Sequence, residues 1–185
     1  ICTAQNHQNH PWVIYDSVNS LAFVVWQDGR NGLFDIYGTR LDSSGVVIDT
    51  GGIAISTAQN EQSFPSGTSD GTNFLIVWQD NRNGLFDIFG SRVSSSGAVL
   101  EPNGIPLATG ACDQSYPAVS FDRINYFVVW QDSRTNVADI YGARVTRSGI
   151  VLDPGGIPIS TAPAPQYFPA IVFGAGLSLA VWQDS

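Results

Sequence analysis

The sequence lacks lysine and methionine altogether, and it contains only two cysteines and two histidines. Its eight basic residues are all arginines and stand against sixteen acidic ones, so the formal net charge is −8. Nucleic-acid phosphates and anionic lipid surfaces attract clusters of basic side chains. The charge therefore argues against nucleic acids and membrane surfaces as partners.

Long apolar runs are missing as well. No segment approaches the roughly 18 apolar residues of a membrane-spanning helix, so we expect no membrane insertion. The sequence shows no signal-peptide pattern and begins with Ile1, which we interpret as a mature or partial product. Strong acidity without lysine is compatible with an extracellular or a salt-rich setting.

The few cysteines and histidines form no metal-binding pattern. Cys2 and Cys112 have no ligand spacing, and they fall at different positions of the repeat described below. We expect two thiols that are free or paired between molecules, and the redox compartment stays open. His7 and His10 have no third ligand nearby, so we expect them at the surface.

A repeat of 52 residues dominates what is present. Four tryptophans recur at that spacing, each followed by Gln-Asp: Trp26, Trp78, Trp130 and Trp182. A second block reads DIYGTR, DIFGSR and DIYGAR, and a Gln-x-x-Pro segment lies near the start of every unit. We divide a single repeat domain, 1–185, into units of approximately 1–56, 57–108 and 109–160 and a partial unit, 161–185.

Each unit predicts four short strands and no helix. The fourth strand of the third unit is expected over 149–159, and residues 1–4 are expected to be the tail of such a strand. Aliphatic and aromatic residues alternate or form brief runs between Gly, Asn, Asp and Ser turns. Four strands in about 50 residues are typical of one propeller blade. The predicted fold is all-β, with four-stranded antiparallel blades of a β-propeller in about 3.5 repeats. A β-solenoid or β-prism is the alternative, although the short turns favour antiparallel meanders.

A lone four-stranded sheet cannot bury both of its faces, so neighbouring blades must stack. The tryptophan of each second strand is large enough to fill the space between two blades, where its burial contributes about 2–3 kcal/mol. The predicted blade-interface residues are Trp26, Trp78, Trp130 and Trp182.

The VWQD-x-R and DIYG-x-R blocks resemble a repeat of secreted bacterial and archaeal proteins that are described as β-propellers, often of the surface or adhesion type. The resemblance covers essentially all 185 residues. It implies an extracellular location, secreted or at the cell surface, and a binding or scaffold role. It brings no catalytic residues with it.

The loop between the second and third strands repeats two aspartates and an amide in a turn. Such oxygens could bind calcium, the only cofactor the sequence suggests. The candidate ligands are Asp28, Asn31, Asp35, Asp80, Asn83, Asp87, Asp132 and Asp139. The alternative is structural: Asp28 caps the turn, and Arg30 or Arg40 pairs with Asp35.

The Gln-x-x-Pro segments precede the predicted inner strands, where propellers present ligand-facing loops. An amide next to an aromatic ring suits a sugar, and the candidate ligand-binding residues are Gln62, Phe64, Gln114, Tyr116, Gln166 and Phe168. Alternatively, the amides satisfy backbone groups and the rings belong to the core.

No nucleophile motif and no unit-specific carboxylate pair is present, so we expect no enzyme. The main interpretation is a non-enzymatic extracellular structural or protein-interaction module. Copies of itself or the remaining blades of a larger chain would complete it. The alternative is a carbohydrate-binding, lectin-like propeller that takes glycans with or without calcium. Residues unique to one unit, including Trp12, Glu61 and Arg123, are where we would look for function.

Overall fold

The structure of the protein is a computed structural model that describes residues 1–185. It contains fourteen strands and no helix, and hence no helix that could cross a membrane. The strands are β1 Gln8–Asp16, β2 Leu21–Asp28, β3 Asp35–Leu41, β4 Ile53–Ser56, β5 Gln62–Ser69, β6 Asn73–Asp80, β7 Asp87–Ser94, β8 Ile105–Ala108, β9 Gln114–Phe121, β10 Asn125–Asp132, β11 Asp139–Thr146, β12 Ile157–Ser160, β13 Gln166–Gly174 and β14 Leu177–Asp184.

The strands form three four-stranded antiparallel blades and a two-stranded sheet. Blade 1 is β1–β4, blade 2 is β5–β8 and blade 3 is β9–β12, each with consecutive strands paired, while β13 and β14 form the half-blade. The first strands of successive blades lie against one another, β1 against β5, β5 against β9 and β9 against β13. They are therefore the innermost strands around the axis. The β-propeller prediction is confirmed, and the parallel pairing between units that a solenoid needs does not occur.

The outer strand of each blade differs from the sequence prediction. A fourth strand was expected over 149–159 in blade 3, but β12 covers only Ile157–Ser160. Val151 instead makes a single bridge to Val145, because a tight turn at residues 146–149 folds it back onto β11. Residues 1–4, which the repeat alignment assigns to a fourth strand, are not in a strand.

The core lies between blades. Trp78 is fully buried in a cluster that joins blade 1, through Phe23 and Ile55, to blade 2. Trp130 does the same between blades 2 and 3, where it shares a cluster with Leu75. These two tryptophans occupy the predicted position between blades.

The two outermost tryptophans have smaller surroundings. Trp26 is buried with Val24 and Tyr37, and Cys2 of the N-terminal segment packs against this cluster. Trp182 is half-buried on the half-blade. Cys2 and Cys112 are both free thiols.

Arginine side chains join the outer parts of neighbouring blades. Arg40 pairs with Asp49 of its own blade and donates Nη1 to the Ser95 carbonyl of blade 2 at 2.9 Å. Arg92 pairs with Glu101 and reaches the Arg147 carbonyl of blade 3 at the same distance. The second arginine of the first two repeats therefore binds adjacent blades together, whereas Arg144 of the third pairs only with Asp153 of its own blade.

Candidate functional site

Each inner strand is interrupted at its Gln-x-x-Pro segment. In β5 the pairing with β6 skips between Ser63 and Ser66, so Phe64 and Pro65 bulge out of the ladder. Proline cannot donate to a ladder, which is why the bulge forms at this point. The residue before the proline then adopts a left-handed backbone, with φ of 53° at Phe64.

The same bulge in all four inner strands points one ring per blade toward the axis. The four residues have φ between 48° and 53°, an uncommon conformation for non-glycine residues that costs of order 1–3 kcal/mol each. They are His10, Phe64, Tyr116 and Phe168. We call this set the ring row.

The ring row is continuous across the blades. The ring centroids are 4.3 Å apart between His10 and Phe64, 4.8 Å between Phe64 and Tyr116, and 4.7 Å between Tyr116 and Phe168. The rings meet edge-on or tilted, which is the favourable arrangement for aromatic pairs. The sequence interpretation missed His10. The signal was available, since His10 stands before Pro11 as Phe64 stands before Pro65.

The ring row lines an open groove of about 290 Å³, which we call the axial groove. The proline after each ring also lines it, as do Trp12 and Ser66. Trp12 is 44% exposed, and its indole is fixed because Nε1 donates to the Gly67 carbonyl at 2.9 Å. The Ser66 hydroxyl has no hydrogen-bond partner. Ser66 is only 3% exposed, so the groove offers mainly aromatic rings and prolines, and a mostly apolar lining is typical of a small-molecule site.

The glutamines of the Gln-x-x-Pro segments do not line the groove. Gln62, Gln114 and Gln166 are at most 3% exposed, and their Nε2 atoms donate to nearby backbone carbonyls. The left-handed residue breaks the alternation of the strand, so the amide and the ring no longer share a face. The proposed pairing of amide and ring on one ligand is therefore corrected: the structure places only the rings in the groove.

A different cluster forms at the loops between second and third strands. In blade 1 both Asp28 oxygens are taken up by Arg30, and Trp26 Nε1 donates to the carboxylate at 2.7 Å. The Arg30 guanidinium lies 3.9 Å from the ring centroid of Tyr37. Burial would raise the pKa of Asp28, but the hydrogen bonds from Arg30 and Trp26 lower it to about 2.

Blades 2 and 3 repeat this Trp–Asp–Arg–aromatic cluster. Arg82 and Arg134 pair with the first loop aspartate of their own blade. Their guanidinium groups lie 4.0 and 3.9 Å from the ring centroids of Phe89 and Tyr141. In both blades the tryptophan of the VWQD block is hydrogen-bonded to the aspartate two residues later, as in blade 1. The repeated arginine thus pairs with the first aspartate of the loop, and the expected partnership with the second aspartate is wrong.

The second aspartate of each loop binds a neutral side chain. Asn31 Nδ2 donates to Asp35 at 2.7 Å, Asn83 makes the same bond to Asp87, and Thr135 Oγ1 replaces the amide at Asp139. Burial raises the pKa of Asp35. No group of three or more His, Cys, Asp or Glu side chains could hold a metal ion in this structure. Calcium stays a prediction that this arrangement does not support, because each first aspartate already has a guanidinium as its cation.

Comparison with known proteins gives the fold a wider context. No family model matches the sequence, and no curated protein matches it. Among solved structures, a thermostable family-43 glycoside hydrolase superposes with a TM-score of 0.63 at 10% identity, over 96% of this chain and 64% of its own. An endo-arabinase from Bacteroides thetaiotaomicron has a TM-score of 0.60 at 12% identity, over 97% and 71%. An alpha-L-arabinanase from Cellvibrio cellulosa, complexed with arabinohexaose, has a TM-score of 0.52 at 11% identity, over 95% and 68%.

These similarities show a β-propeller fold, and the chain spans 64% of the length of the family-43 hydrolase. They also overturn two expectations from the sequence. The first is the interpretation as a non-enzymatic structural or protein-interaction module, and the second is the expectation of no enzyme. Both are wrong, because propellers of this architecture include glycoside hydrolases. The repetition of the same residues in every blade accounts for how the blades are stabilised, but it does not exclude binding or cleavage of carbohydrates.

Proposed function

We propose that this chain binds carbohydrate in the axial groove, as part of a carbohydrate-active propeller. The observation that carries the proposal is the ring row, four aromatic side chains held by strained backbone on the innermost strands. Strain of this kind persists only where the surrounding structure imposes it, and it is concentrated at functional sites.

The chemistry of the groove suits a saccharide. The C–H faces of a sugar ring pack on aromatic surfaces, and Trp12 and Phe168 in the groove are 44% and 53% exposed. The groove volume of about 290 Å³ lies at the lower end of ligand sites, which favours a short oligosaccharide segment.

The lining of the groove contains no carboxyl group, whereas glycoside hydrolysis generally uses a pair of them. The role that we assign to the ring row is therefore substrate binding. The similarity to arabinan-cleaving enzymes makes arabinose-containing oligosaccharides the first ligands to test.

The test is titration calorimetry with arabinohexaose, xylohexaose and cellohexaose, with reducing-end release measured in the same samples. We expect one of these to bind, and Tyr116→Ala to raise its Kd about tenfold, which corresponds to the loss of about 1.4 kcal/mol. Tyr15→Ala is the matched control, because Tyr15 is 66% exposed and lies outside the groove. No binding to any sugar at millimolar concentration, or an equal effect of both variants, would contradict the proposal.

A further inference from the structure

The glutamine of the VWQD block contacts the ring row of the next blade. Gln27 Oε1 of blade 1 accepts a hydrogen bond from the Phe64 backbone N–H of blade 2 at 3.1 Å. Gln79 Oε1 of blade 2 accepts from the Tyr116 N–H of blade 3 at 3.2 Å. Both glutamines are almost fully buried, at 3% and 4% exposure.

These bonds replace ones that the bulge removes. A residue that leaves the ladder has a backbone N–H without a strand partner, and a buried N–H in that state costs about 1–3 kcal/mol. The preceding blade supplies the missing acceptor through a side chain. Gln79 is itself fixed, because its Nε2 donates to Ser63 Oγ at 3.2 Å.

We propose that Gln27 and Gln79 are positioning residues of the axial groove, each fixing the bulged backbone N–H, and with it the ring, of the following blade. This inference rests on the proposed function for its effect on binding, but the hydrogen bond can be tested without a ligand. It also assigns a role to the glutamine of the repeat, which neither the tryptophan interface nor the aspartate–arginine cluster requires.

The third equivalent glutamine offers a control within the same chain. Gln131 stands in the same block, but its Oε1 has no hydrogen-bond partner. The ring that it would hold, Phe168, is 53% exposed, whereas Phe64 and Tyr116 are half-buried. Phe168 keeps the left-handed backbone, with φ of 52°, without this bond. The bond therefore does not create the bulge; it accompanies the less exposed rings, Phe64 and Tyr116.

The experiment compares Gln79→Leu with Gln131→Leu. Leucine removes the acceptor with little change in size. In Gln79→Leu we expect faster hydrogen exchange at the Tyr116 amide, measured by NMR, and a Kd for the bound oligosaccharide about five times higher, the equivalent of one hydrogen bond. In Gln131→Leu both the Phe168 exchange rate and the Kd should stay within a factor of two of the wild type.

Each outcome decides a different point. If the exchange rate at Tyr116 is unchanged in Gln79→Leu, the hydrogen bond from Tyr116 to Gln79 is refuted. If exchange is faster but the Kd is unchanged, the positioning role is refuted and the bond is purely structural. Should the wild type bind no sugar, the proposed function fails, and the proposal that Gln79 holds the ring is then judged from the exchange rate and the Tyr116 ring shifts. Gln27→Leu makes the same test at Phe64 in case Gln79→Leu does not fold.

Discussion

Arg82 is the most informative residue for testing how a single blade is stabilised. Its Nε and Nη2 donate to Asp80 at 2.9 and 2.5 Å, and its Nη1 donates to the Asn103 carbonyl at 2.7 Å. The guanidinium also lies 4.0 Å from the ring centroid of Phe89. Because Asp80 is fully buried, Arg82→Ala leaves a carboxylate with only the Trp78 indole and one backbone N–H as donors.

We expect Arg82→Ala to lower the free energy of unfolding by about 3 kcal/mol. Removing one partner of a buried ion pair costs about 3–5 kcal/mol, and the lower end applies because the Arg82 side chain is 19% exposed. The assay is urea unfolding followed by tryptophan fluorescence. Trp78, hydrogen-bonded to Asp80 at 2.8 Å, reports on the same cluster.

Arg123→Ala is the matched control. Arg123 is exposed and takes part in none of the seven ion pairs, which engage each of the other seven arginines. Its removal should cost less than about 0.5 kcal/mol. Adding Asp80→Asn to Arg82→Ala should restore part of the lost stability, because the unpaired buried charge disappears. A loss below about 1 kcal/mol for Arg82→Ala, or a further loss in the double variant, would refute the reasoning.

Two further predictions concern the loss of stability in acid and the packing of a glycine against Trp130. The pKa of Asp28, about 2 in the folded protein, lies below the unfolded value of about 3.9. Its contribution to stability is therefore complete only above about pH 5 and is lost progressively as the pH falls through 2. The stability gap between wild type and Arg30→Ala, measured by urea unfolding, should therefore shrink from pH 5 to pH 2.5, and a constant gap would contradict this linkage. Gly155 and Gly156 both have positive φ, but a Cβ at Gly156 would lie 2.6 Å from Trp130 Cζ2, whereas Gly155 faces open space. Gly156→Ala should thus lower the melting temperature clearly more than Gly155→Ala, and equal losses would rule out the contact with Trp130.

Much of the blade could be predicted because each strand's pattern is local. A second strand such as Tyr126–Gln131 reads as β from its branched and aromatic residues, and the recurrence of tryptophan at a fixed spacing predicts stacking between units. Trp78 and Trp130 accordingly lie between blades. The turn at Asp28 was also predictable, since an aspartate commonly caps the backbone two residues on, as it does here toward the Arg30 N–H.

The candidate site was only partly predictable. Phe64, Tyr116 and Phe168 were recognised from their place before proline, and His10 was not, because a histidine was interpreted by its metal chemistry instead of its position in the repeat. The carboxylates of the loops were interpreted as calcium ligands. Sequence spacing does not show that Arg30 folds back onto Asp28.

The sequence by itself determined the strand pattern, the blade length and the residues that fill the blade interfaces, because these depend on alternation and on a repeat that can be read along the chain. Only the tertiary structure decided that the proline bulge turns the aromatic rings into one groove and buries the neighbouring glutamines. It also decided that a glutamine of one blade binds the backbone of the next. Contacts of this kind join residues about 37 positions apart, and their geometry depends on how neighbouring blades are placed around the axis.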